Sequence, residues 1–211
     1  MVSKEAKVKT SKRNHTMKAI QFSDKHMILW ILPFLFVIAF YSTVSEKPNV
    51  SMDRLDERFI ILSNAHTNYC ASADFLNSKS DDDKLQGSCC SKMDSHRYAE
   101  QVDGLKQYSG IDVIPSDPYD IKASLAKTLV SYDKNIVLNT QQQKVYDDAM
   151  KMSSEGGPCC CKCWRWAAFE GQAKYLIKEY NFDEKQIAYV WDLEDGCGGK
   201  GHANHFEQKP S

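Results

Sequence analysis

Four of the eight cysteines in this 211-residue chain, Cys159, Cys160, Cys161 and Cys163, fall within five residues. They sit in the run Gly156-Gly157-Pro158-Cys159-Cys160-Cys161-Lys162-Cys163-Trp164-Arg165-Trp166. A buried cysteine can serve as a small apolar side chain, but a core has no use for so many adjacent sulfurs, so the run points to thiol chemistry. Pro158 suits the first position of a helix, where its fixed φ is already helical and its missing N–H costs nothing. The spacing therefore predicts a helix opening at Pro158 with the cysteines in its first turn. Cys160 and Cys163, three apart, and Cys159 and Cys163, four apart, would then share a face. Exposed amides and the positive helix end favour thiolate over thiol, the form that binds metals and attacks disulfides. In an extended loop, Cys159, Cys161 and Cys163 would instead alternate onto one side. Lys162 and Arg165 add positive charge beside the sulfurs in either geometry.

The remaining cysteines supply further ligands. His66 and Cys70 are four apart, Cys89 and Cys90 are adjacent with His96 following, and Cys197 lies within Gly196-Cys197-Gly198-Gly199, where the backbone can fold tightly around its sulfur. Thiolates joined by one or two imidazoles suit Cu(I) or Zn(II), and a closed shell of such ligands serves storage, transfer or structure rather than catalysis. Crowded Cys-x-Cys sulfurs favour copper, and mercury answers to the same chemistry. The candidate metal ligands are Cys159, Cys160, Cys161 and Cys163, completed from Cys70, Cys89, Cys90, Cys197, His66 and His96. Two alternatives use the same residues. In one, disulfides staple a small domain outside the cytoplasm. In the other, Cys160-x-x-Cys163 carries out thiol–disulfide exchange, although such motifs normally follow a strand and only a helix and a Ser-Ser-Glu-Gly-Gly loop precede this one. His202 and His205 read as part of a polar tail.

The run from Pro158 to Cys163 resembles the family named for a Pro-Cys-Tyr-Cys-Gly-Cys motif, membrane-anchored proteins of unknown function. Pro158, Cys159, Cys161 and Cys163 are in register with it, Cys160 replaces its Tyr and Lys162 its Gly. The family's lipidated cysteine just after the signal segment has no counterpart, since the first cysteine is Cys70. The resemblance implies an extracytoplasmic, cysteine-rich, metal-handling domain and supplies no activity.

Several elements must carry these residues. Residues 1–26 hold seven basic side chains against two acidic ones, an excess that lacks the interleaved aromatics of a nucleic-acid-binding tail. Met27 to Val44 is uncharged and as a helix reaches roughly 27 Å, enough to span a thin hydrocarbon core. Trp30 and Tyr41 lie near its ends. The basic side predicts a cytoplasmic N-terminus, with the rest of the chain extracytoplasmic. No Ala-x-Ala cleavage site follows, so the segment reads as a signal anchor rather than a cleaved signal peptide. Residues 45–64 read as a charged stalk, 65–200 as the Cys/His-rich helical domain and 201–211 as a polar tail. The fold expected is mainly α.

Within that domain, Ser78–Gly87, with Asp81, Asp82 and Asp83, reads as a solvated loop. Helices are predicted from Tyr98 to Tyr108 and from an Asp117 N-cap with Pro118 to about Ser131. Another opens at a Thr140–Gln143 capping box, its stripe packing on the preceding helix. One more runs from Trp166 to Tyr180, and the last from an Asp183–Gln186 box, with Phe182 and Ile187 as a staple, to Gly196. No Gly-rich phosphate loop or Gly-x-Ser-x-Gly is present, so no small organic substrate is indicated. The function expected is metal binding rather than catalysis, with the membrane and a metal-donor or acceptor protein as partners.

Overall fold

The structure is a computed structural model and describes residues 50–199. The readings placed on segments 1–26, 27–44 and 201–211 lie outside these residues. Among the described residues no helix is long and apolar enough to cross a membrane.

As the patterning implies, the described chain is mainly helical. The helices are α1 (Val50–Ser63), α2 (Ser95–Leu105), α3 (Ala123–Asn135), α4 (Thr140–Met152), α5 (Trp164–Tyr180) and α6 (Glu184–Glu194). Short 3₁₀ turns occupy Ala73–Ser78 and Lys106–Tyr108. Two three-residue strands, β1 (Lys84–Gln86) and β2 (Asp120–Lys122), pair antiparallel with Leu85 opposite Ile121, and both of these side chains are buried. This small ribbon joins the segment before the Cys89-Cys90 pair to the segment before α3.

The core is built on α5. Its buried face, including Ala168, Phe169, Ala173, Leu176 and Ile177, recurs at helical spacing and packs chiefly on α3. α4 packs chiefly on α6. The stripes of α3 and α4 therefore each find another partner rather than principally each other, a correction to the sequence reading. Trp191 of α6 donates its indole N–H to the Phe169 carbonyl at 3.1 Å, joining the two pairs without leaving a buried donor unmet.

Several helix starts differ from expectation for local reasons. Asp117 does not cap a helix. Its buried carboxylate accepts from Tyr98 Oη at 2.8 Å, the Tyr119 amide at 2.9 Å and Arg58 Nε at 2.8 Å, and the following residues enter β2, which delays α3 to Ala123. The box opening α4 is shifted by one residue to Asn139 and Gln142, which hydrogen-bond each other's backbone amides. α2 begins earlier than Tyr98 because Asp94 accepts the Arg97 amide at 3.0 Å. The Asp183–Gln186 box on α6 is as read, and that helix ends at Glu194. In the stretch read as a stalk, residues 50–63 form α1, whose Leu62 joins Tyr98 and Tyr119 in a satellite core.

Candidate metal centre

The cysteine run is not a first helical turn. Residues 158–163 form an irregular loop, and α5 opens only at Trp164, with Cys163 in extended conformation as its N-cap residue. The earlier start fails because Gly156 and Gly157 both take positive φ, 67° and 151°. The chain thus enters Pro158 from a turn.

Hydrogen bonds tie one other segment to the end of this loop and two more to each other. The Trp164 amide donates to the Ala71 carbonyl at 2.7 Å. The Trp164 indole N–H lies 3.1 Å from both the Asn68 side-chain oxygen and the Tyr69 carbonyl, which brings Cys70 to the start of α5. The Cys89 amide donates to Gly196 O at 3.3 Å, and the Ser91 amide donates to Cys197 O at 2.8 Å. The Gly199 amide donates to Lys92 O at 2.7 Å. Gly198 permits this approach. Its φ is 80°, and a Cβ there would stand 2.2 Å from the Ser91 carbonyl oxygen.

All eight cysteines meet at this junction. Cys159, Cys163 and Cys197 are buried together, with Cys89, Cys161 and Trp166 packed on them. Sγ–Sγ separations are 2.8 Å for Cys70 and Cys161, 3.0 Å for Cys160 and Cys197, and 3.2 Å for Cys159 and Cys197. They are 3.5 Å for Cys89 and Cys90, 3.8 Å for Cys90 and Cys160, and 4.0 Å for Cys159 and Cys163. Sulfurs bound at about 2.3 Å to one metal stand about 3.8 Å apart at tetrahedral corners and about 4 Å apart in a trigonal plane. Four trios have their ligand atoms within 4.8 Å of one another: 70/90/161, 89/90/197, 159/160/197 and 159/161/163.

The two candidate histidines stand apart from these trios. His66 is exposed, and His96 is exposed and pairs with Glu100 at 2.9 Å. Cys160 and Cys163 share no trio, and both precede the first residue of α5.

Electrostatics within the cluster are uneven. The Cys163 thiol is pulled down to about 5 by the neighbouring Cys159 thiol, helped by the first-turn amides of Arg165 and Trp166. The dipole argument thus holds for this one N-cap cysteine. Cys159 is pushed well up by sharing hydrogen with Cys163 and Cys197, Cys89 by Cys159, and Cys161 by burial and then Cys70. Close contact between sulfurs thus favours the Cys163 thiolate and disfavours that of its neighbour Cys159.

One further residue was visible in the sequence only as a basic side chain. Arg165 is fully buried. Its Nη2 donates to Pro118 O at 2.7 Å and Glu194 O at 3.0 Å, and its Nη1 has no partner among the described residues. The guanidinium lies against Gly196, where a Cβ would stand 2.2 Å from Nη2. The Gly196 carbonyl also receives the Cys89 thiol at 3.8 Å. A cation is thus sealed in beside the sulfurs, and its charge favours the Cys89 thiolate. Nothing in the sequence marks Arg165 as buried except its place between two tryptophans. Compared with protein-family models, curated proteins and solved structures, the chain matches none.

Proposed function

We propose that this protein binds soft metal ions, Cu(I) in preference to Zn(II), through its clustered thiolates, for storage, transfer or resistance. The observation that carries the reading is that eight cysteines from four separate segments converge into overlapping trios. A disulfide asks each sulfur for one partner. Here Cys197 has both Cys159 and Cys160 within 3.2 Å, a sharing that suits ions between sulfurs. Soft thiolates select Cu(I), zinc and iron–sulfur clusters over hard cations. The membrane anchor, cytoplasmic N-terminus and extracytoplasmic placement of the domain belong to the same proposal, supported by the apolar stretch 27–44 and its basic flank. The likeness of Pro158–Cys163 to the cysteine motif family agrees with that placement.

A second reading rests on the 2.8 Å approach of Cys70 and Cys161, the pair best placed to become a disulfide staple under oxidation. One experiment separates the two. Full-length protein is purified in detergent without oxygen, and free thiols and bound metal are counted in the same sample. Bound Cu or Zn, with thiols shielded from alkylation until a chelator is added, supports the metal reading. Oxidised cysteines with no metal support staples and overturn it.

A further inference from the structure

The four trios are linked to one another. Cys90 belongs to 70/90/161 and 89/90/197, Cys197 to 89/90/197 and 159/160/197, Cys159 to 159/160/197 and 159/161/163, and Cys161 to 159/161/163 and 70/90/161. Following the shared members from trio to trio returns to the start and uses every cysteine once or twice. Four sulfurs are shared and four belong to one trio only. No fourth Cys, His, Asp or Glu ligand atom joins any trio among the described residues.

We infer that the eight thiols hold one closed cluster of four Cu(I) ions, in which Cys90, Cys159, Cys161 and Cys197 each bridge two ions and Cys70, Cys89, Cys160 and Cys163 each cap one. This rests on the thiolate metal-binding reading and deepens it from a class of ligand to a stoichiometry and a coordination number. Zinc closes its structural sites with four ligands, so a corner-sharing set that stops at three donors per site is short by one for Zn(II) and complete for three-coordinate Cu(I). Thiolate is also the soft ligand that Cu(I) selects. Assembly involves no change of oxidation state. Each thiol gives its proton to solvent as its sulfur binds, and copper enters and remains as Cu(I). Four monovalent ions on eight thiolates leave excess negative charge. The buried Arg165 offsets part of it from inside, and water does so at exposed Cys70, Cys90 and Cys160. Because neighbouring sites share sulfurs, occupying one fixes ligands for two others, and loading is cooperative.

The full-length chain in detergent is titrated anaerobically with Cu(I) as its acetonitrile complex and followed by native mass spectrometry. The expected result is a mixture dominated by metal-free and four-copper chains at half-saturation, ending at four. An end point of one or two ions, or a statistical ladder of intermediates, overturns the cluster while leaving thiolate metal binding standing. A reduced, folded chain that retains no ion overturns both. Two exposed members of one trio provide the sharper test, since neither is needed for the core. Cys70→Ser, at a capping position, should lower the capacity by one ion and Cys90→Ser, at a bridging position, by two, with helical circular dichroism unchanged in each. Equal losses from the two variants overturn the assignment of bridges.

Discussion

A guanidinium sealed from water keeps its charge, and burial of that charge is tolerated only where other groups balance it. Arg165 hydrogen-bonds carbonyls and no carboxylate, and burial holds the neighbouring Glu194 up at about 8, which disfavours its charged form. The anions left to balance it are the thiolates. Arg165→Met is therefore expected to weaken copper retention against a chelator at least tenfold, about 1.4 kcal/mol, and Arg165→Lys to recover much of the loss. Equal retention in all three proteins would separate Arg165 from the sulfur chemistry. Glu194 gives a second prediction. Its folded pKa lies above the ordinary 4.5, so between these values the folded protein holds a proton that the unfolded chain has lost. The Glu194 contribution to stability therefore falls as pH rises through that window, by up to about 1.4 kcal/mol per unit, and levels off above it. Glu194→Gln, which copies the protonated side chain and can keep the Gln172 contact seen at 2.6 Å, should remove that falling contribution. Urea denaturation of the reduced, metal-free wild type and variant from pH 5 to 7.5 measures it as the difference between the two slopes, since Cys163, pulled down to about 5, adds an opposite dependence common to both.

At the scale of elements, the site is made by helix ends and loops rather than by helix faces. Trp164 shows how. As the first residue of α5 it buries its ring completely and aims its N–H at the loop that carries Cys70. Trp164→Phe removes that donor and part of the ring, which should cost about 2–4 kcal/mol and speed alkylation of Cys70 in the metal-free protein. Asp183→Ala is the control. It removes the α6 cap at a cost of about 1 kcal/mol and should leave Cys70 reactivity unchanged, as read by timed labelling and mass spectrometry. The same contrast explains what was legible in the sequence. The Asp183–Gln186 box and the α5 stripe rest on local spacing, and each is found. The Asp117 cap differs because distant groups decide it, and the start assigned to Pro158 because the turn just before it does. Asp117 is taken by Arg58 and Tyr98, and Pro158 follows two glycines in positive-φ turns. The burial of Arg165 depends on carbonyls 29 and 47 residues away, which no local pattern announces.

For the whole molecule, the sulfur cluster and the main apolar core are separate bodies of packing, since no cysteine belongs to the large core built on α3 to α6. The helices can therefore bury their apolar faces without a metal, unlike small zinc domains in which binding and folding are one event. What metal adds is a cross-link between loops far apart in sequence, from Cys70 to Cys197. Metal is expected to bind the folded arrangement more tightly than the unfolded chain, so loading should raise stability by at most about 2.7 kcal/mol at a free-ion level one hundred times the dissociation constant. Removing it should act locally. Metal-free, reduced protein is expected to keep its helical circular dichroism and slow amide exchange along α5. Exchange should quicken in 66–72, 87–93, 156–163 and 195–199, the four segments that lose their common anchor. Loss of helical signal together with the metal would show instead that the helices depend on the sulfur cluster, and the division of the fold into a self-sufficient core and a metal-tied end would fall.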